Sequence, residues 1–291
     1  MRRKTMKRLL SSLLGTVVLT ALMVVNALAA PIPAWDYTVD GIFVSWKTTV
    51  GTSGTLDTPA QGITGFEPEE LFYNLDGGVP VPPGTSAKGY RHIAWGDYVW
   101  SGPGPVYSQI PGANLSSIGI NARSGTMITD GPTSLGMELY HYNQPILSGS
   151  IQLKSGVVRS VLTLAPSGNP PLPVFSTKLD FLFFETPNGN VNTESDVFVL
   201  LNPEVTEETF HFYGVDYVFS FGGSFGLIPE TYRALLNLPV GSVGWITSEN
   251  AYNAFDTLIS IRALPTPEPT SIILMGLGLL GLFGLRRRSQ A

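Results

Sequence analysis

Apolar and polar positions alternate with period two through much of the body of the chain, the mark of strands with one buried face. Ile42, Val44, Trp46 and Thr48 share one face, and Gly41, Phe43, Ser45 and Lys47 the other. Val157 to Leu164 (VVRSVLTL), Leu179 to Phe184 (LDFLFF) and Val197 to Leu201 are further strand runs. In Val215 to Phe221, the residues Val215, Tyr217, Phe219 and Phe221 oppose Asp216, Val218 and Ser220, and Leu258, Ile259 and Ile261 mark a last strand. Turn clusters separate these runs: Gly77-Gly78, Pro82-Pro83-Gly84, Gly102-Pro103-Gly104, Pro111-Gly112, Asn169-Pro170-Pro171 and Pro187-Asn188-Gly189. The one helical pattern is Pro229 to Leu236 (PETYRALL), with proline at the first helical position. Strands at this spacing, without long helices between them, predict an all-β, antiparallel sandwich or jelly roll.

The two ends break the pattern. Arg2, Arg3, Lys4, Lys7 and Arg8 precede an apolar stretch from Leu9 to Val25, and Ala27-Leu28-Ala29 supplies small residues for cleavage. Residues 1–29 therefore read as a secretory signal peptide, leaving 30–264 as the exported domain. Residues 265–291 hold Pro267-Glu268-Pro269, an uncharged apolar run over 271–285, and the cluster Arg286, Arg287 and Arg288. Proline keeps the approach extended, the apolar run partitions into lipid as a transmembrane segment, and the arginines stay cytoplasmic. The run is shorter than the roughly 20 residues a comfortable helical span needs, which suits a temporary anchor.

Composition sharpens this picture. The chain has 291 residues with 32 Gly and 23 Pro, but its 43% hydrophobic content is too high for disorder. The net charge of −5 hides a more acidic body: residues 31–265 carry 9 Lys and Arg against 21 Asp and Glu, leaving −12. Such a body repels phosphate backbones, so nucleic acid is excluded as a partner. Cysteine is absent, which removes thiol catalysis and zinc–cysteine sites. A domain of this size buries enough surface to need no disulfide.

The tripartite tail resembles the PEP-CTERM sorting signal of Gram-negative bacteria. That resemblance implies an inner-membrane-tethered intermediate, handled by signal peptidase and an exosortase-type sorting enzyme. The mature protein would then be at the outer surface or extracellular.

Four candidate sites stand in the body. Gly222-Gly223-Ser224-Phe225-Gly226 matches G-x-S-x-G, but that fold places its histidine after the serine, and no histidine follows His211. A turn is the better reading. In Tyr140-His141-Tyr142-Asn143-Gln144-Pro145-Ile146 an extended backbone directs His141 and Asn143 to one side and the tyrosines to the other. The pair is a candidate binding site, or else pins a sheet corner by bonding backbone groups. Trp95 and Trp100, with Trp35, Trp46 and Trp245, offer faces for stacking sugars, or for packing a core. Asn188, Asn190, Asn192, Glu194 and Asp196 are oxygen ligands of the kind calcium takes, yet such loops are common without metal. No metal or other cofactor is expected.

Three stretches resemble the THxN group of PEP-CTERM proteins. His141, Asn143, Pro145 and Ile146 match its signature, with Tyr140 in place of the threonine. Arg91 to Gly96 (RHIAWG) resembles its early segment, and Glu249, Asn253 and Phe255 match its late one. The group implies a surface-exported β domain and brings no activity with it. The expectation is a non-catalytic structural or adhesive protein of the cell surface or extracellular matrix. A module binding exopolysaccharide is the alternative, and a hydrolase with paired carboxylates the third reading.

The tail rather than the body should decide localisation. Deleting residues 267–291 should give a freely exported product, and changing Arg286, Arg287 and Arg288 to Ser should weaken retention. Fractionation of host cells checks this; a truncated chain that fractionates like the full-length one would contradict it.

Overall fold

The computed structural model describes residues 30–265 except 77–78, 97, 101–106, 110–114, 147–148, 170–171, 173, 187–194, 204–205 and 224. The signal-peptide reading and the tail, including Pro267 to Pro269 and Arg286 to Arg288, lie outside the described residues. Among the described residues no helix is long and apolar enough to cross a membrane.

The chain is all-β. Its long strands are β1 (Ala34–Thr48), β2 (Ile63–Phe72), β3 (Ser86–Gly96), β4 (Leu115–Asn121), β5 (Arg123–Ile128), β6 (Ser134–Asn143) and β7 (Leu153–Pro166). There follow β8 (Phe175–Phe184), β9 (Ser195–Leu200), β10 (Thr206–Phe212), β11 (Val215–Gly223), β12 (Val243–Ser248) and β13 (Ala251–Ala263). These form an antiparallel, curled sheet. One run of neighbours is β2–β3–β4–β6–β13. The other is β5–β1–β7–β8–β9–β12.

The two runs join where Phe43 of β1 pairs with Tyr90 of β3. Gly89 permits that approach, since a Cβ there would lie 2.2 Å from the Phe43 carbonyl oxygen. Arg91 clamps the join with two hydrogen bonds to Asp40, at 2.8 and 2.5 Å. A register shift between Phe43 and Ser45 bends β1 at the same place. It also corrects the alternation expected for this strand: Ile42 and Phe43 are both fully buried, while Val44 is half-buried.

The curl brings the inner faces of the two runs together over an aromatic core. Trp95 of β3 meets Phe183 of β8 at 5.0 Å, Phe183 meets Phe198 of β9 at 4.7 Å, and Phe198 stacks on Trp245 of β12 at 4.2 Å. Phe255 of β13 stacks on Trp245 from the opposite run at 5.2 Å. The predicted helix is α1 (Glu230–Leu236); Pro229 stands just before it with extended backbone and no side-chain capping bond, rather than at the first helical position, and Asn237 ends it in the left-handed conformation. It lays Tyr232 and Leu236 on Val197, Val199 and Ile228.

By compactness, residues Ile32–Thr209 and Phe219–Arg262 form one unit, and among the described residues Phe210–Val218 and Ala263 to Pro265 belong to another. Within the second, Phe210 stacks on Tyr217 at 5.3 Å, and the Leu264 N–H donates to the Asp216 carbonyl. His141, Asn143, Glu185, Asp196 and Glu249 all lie in the first unit.

Candidate functional site

Strand β6 carries two chemistries on its two faces. His141 and Asn143 point inward and are fully buried, whereas Tyr142 is 46% exposed. His141 Nδ1 lies 2.8 Å from the Thr247 hydroxyl on β12, and that hydroxyl donates to the Asp196 carbonyl on β9. The order of donors makes Nδ1 the protonated nitrogen of His141 and leaves Nε2, which has no hydrogen-bond partner in the protein, as a bare acceptor. Asn143 donates from Nδ2 to the Thr247 carbonyl at 3.1 Å, and its Oδ1 has no partner in the protein. Thr247 therefore ties both side chains across the core. The imidazole stacks on Trp95 at 5.6 Å and meets the edges of Phe183 and Phe198. Burial among these rings pushes the His141 pKa down to about 3, so the ring is neutral at physiological pH.

Beside this pair lies an acidic cluster. One carboxylate oxygen from each of Glu185, Asp196 and Glu249 falls within 4.8 Å of the others. Glu185 follows the β8 aromatic run, and its Oε2 accepts from Trp95 Nε1 at 3.1 Å. Asp196 is fully buried; Oδ1 accepts from the Thr186 N–H at 2.9 Å, and Oδ2 has no partner in the protein. Glu249 sits in the turn joining β12 to β13. Asn253 braces that turn by accepting from the Ser248 N–H and donating to the Ser248 and Ala251 carbonyls. Burial pushes the Glu185 and Asp196 carboxyls up, and like charge within the cluster adds to the effect.

The outer face carries a row of rings across four strands. Phe66 of β2 meets His92 of β3 at 5.3 Å, His92 meets Tyr140 of β6 at 5.9 Å, and Tyr140 stacks on Tyr252 of β13 at 5.3 Å. Gly119 of β4 makes the row possible, because a Cβ there would lie 2.1 Å from the Tyr140 ring. Phe66 is 40% and Tyr252 54% exposed. Glu138 borders the row, accepting from the Tyr252 hydroxyl and from Asn121 Nδ2.

The candidates from sequence are thus distributed unequally. His141, Asn143 and Trp95 come together at the core, where Trp95 is fully buried. Trp35 and Trp46 are also buried, and Trp245 is 8% exposed, so these four offer no open stacking face. The Trp100 side chain, Ser224, Asn188, Asn190, Asn192 and Glu194 lie outside the described residues. Asp196 has companions that spacing did not suggest. Glu185 was missed; the signal was an acid directly after the apolar run Phe181-Leu182-Phe183-Phe184. The exposed row was missed too, because it needs the register of β2, β3, β4, β6 and β13.

Residues 265–288 match the PEP-CTERM protein-sorting motif. No curated protein matches the chain. The motif implies processing by an exosortase-type enzyme, with a membrane-anchored stage followed by export to the cell surface.

Replacing His141 or Asn143 by alanine should destabilise the protein by about 1–3 kcal/mol, because each change strands a buried partner group on Thr247. Equilibrium denaturation measures this. Wild-type stability in both variants would mean that the pair does not hold the two runs together.

Proposed function

We propose that this chain is a non-catalytic cell-surface protein with a structural or adhesive role, its body a β-sandwich presented by the sorted tail. The sorting motif at 265–288 carries the location. The exposed aromatic row carries the adhesive reading, since contiguous aromatic surface bordered by polar groups marks interaction sites. The carboxylates at the core do not favour a hydrolase. Asp196 is fully buried, and Trp95 and Thr186 already hold the cluster from within.

The same row favours a second reading, carbohydrate binding. Phe66 and Tyr252, 40% and 54% exposed at the two ends of the row, offer apolar ring surface for sugars to pack against. Glu138 and Asn121 at the border supply the hydrogen-bonding groups that sugar hydroxyls need. The acidic body selects for neutral polysaccharides over anionic ones.

Host cells displaying the Phe66→Ala/Tyr252→Ala double variant test both readings. Display should match wild type and the melting midpoint should fall only modestly, because Phe66 and Tyr252 lie at the surface, 40% and 54% exposed, while cohesion between cells should fall. Competition by a soluble neutral polysaccharide such as cellulose oligosaccharides or a galactan would establish carbohydrate as the ligand. Unchanged cohesion in the double variant would remove the row from function.

A further inference from the structure

Glu185, Asp196 and Glu249 converge inside an acidic body, an expensive arrangement for Asp196 above all, which is fully buried and whose Oδ2 has no partner in the protein. The salt bridges of the unit place cations elsewhere: Arg91 on Asp40 and Glu69, Arg123 on Glu138 and Asp256, and Arg159 on Asp76. Like charges in a desolvated place repel strongly, and isolated buried carboxylates are tolerated only when paired or coordinated.

We propose that Glu185, Asp196 and Glu249 form a binding site for a divalent hard cation, best fitted by Ca²⁺, which ties β8, β9 and the β12–β13 turn together. The oxygens carry this. Asp196 is fully buried, and its Oδ2 has no partner in the protein, although it belongs to a group within 4.8 Å of two further carboxylates. A second observation comes from outside the cluster. Asn143, also fully buried, is fixed through Nδ2 to Thr247, the residue paired with Asp196 across the β9–β12 ladder, and its Oδ1 is unpartnered in the protein. Thr186, whose N–H holds Asp196 Oδ1, also carries a buried hydroxyl with no partner in the protein. The residues bonded to Asp196 and to its ladder partner Thr247 thus each carry a buried neutral oxygen without a partner in the protein.

The ligand chemistry selects the ion. All these donors are oxygens, which suit calcium or magnesium better than zinc or copper. Two ligands on opposite sides of an ion stand apart by at most twice the metal–oxygen distance, about 4.6–5.2 Å for Ca²⁺ and about 4.0–4.2 Å for Mg²⁺. Oxygens lying within 4.8 Å of one another fall inside the span of the larger ion, Ca²⁺. Trp95 fixes Glu185 by hydrogen bond, and Asn253 fixes the turn that carries Glu249. Most of the ordering has thus occurred before the ion arrives.

The full chain in detergent, stripped with EDTA and dialysed, tests this with Ca²⁺, Mg²⁺ and Tb³⁺ as probes. Calorimetry should find one Ca²⁺ site, the melting midpoint should rise with Ca²⁺ and less with Mg²⁺, and Tb³⁺ should luminesce when excited through tryptophan, because Trp95 touches a ligand. Asp196→Asn should lose at least tenfold in Ca²⁺ affinity together with the Tb³⁺ signal. In EDTA it should melt at or above wild type, since an isosteric amide relieves the repulsion. Glu249→Gln, a change in a turn, should show the same loss and keeps the test valid if Asp196→Asn fails to fold. Absence of Ca²⁺ binding in wild type, as when the carboxylates simply share protons, would overturn the proposal. So would an undiminished Ca²⁺ response in both variants, which would put the ion elsewhere.

Discussion

The inner faces of the sheet are held by a short seam of polar groups set in an aromatic wall. His141 and Asn143 reach from β6 to Thr247 on β12, and Thr247 continues to Asp196 on β9. Around this seam lie Trp95, Phe183, Phe198 and Trp245, which exclude water from it. Hydrogen bonds gain strength in such surroundings, and any unmade bond costs correspondingly more. Apolar packing alone would tolerate a slip between the facing strands. The hydrogen bonds to Thr247 do not, so the seam sets the alignment of the two runs as well as adding to stability.

The protein separates its tasks by face. Along β6 the inward residues His141 and Asn143 secure the core, while the outward residues Tyr140 and Tyr142 meet the surroundings. The period of two makes this division unavoidable: whatever fixes the register inside also fixes which rings stand in line outside. Gly119 serves the outer arrangement by leaving room for the Tyr140 ring. A domain sorted to the cell surface through 265–288 would in this way present a face built on paired strands.

Much of this was readable from the chain, and the exceptions have physical causes. The runs at 42–48, 157–164, 179–184 and 258–261 lie in β1, β7, β8 and β13, because each is a continuous apolar or alternating segment. Strands β2 to β5 carry no such signature. In β2 the run Glu67-Pro68-Glu69-Glu70 hides the pattern, and Glu67 takes a positive φ of 55° that breaks the alternation. The strict alternation expected at Val44 fails for a similar reason, a bulge that sequence does not announce. The three stretches with a family resemblance supply Trp95, His141, Asn143, Glu249, Asn253 and Phe255, and in space they meet: Trp95 stacks on His141, and His141 stands opposite Asn253, which braces the turn of Glu249. Glu185 and Asp196 complete that site from strands whose pairing no local spacing encodes.

If the seam is as dry as its geometry states, protonation should report it. Burial raises the Glu185 and Asp196 carboxyls, so above the ordinary carboxylate range the folded chain holds protons that the unfolded chain has released. Folded-state stability must then fall as pH rises through that window. His141, lowered to about 3, acts oppositely: its contribution is complete above the unfolded value and is lost as pH falls towards 3. Between pH 7 and 9 the histidine is silent and the carboxylates act alone. The direct measurement is therefore the unfolding free energy of the cation-free protein across that interval. The account predicts a decline with a slope approaching about 1.4 kcal/mol per pH unit, and a stability that stays level or rises from pH 7 to 9 would contradict it.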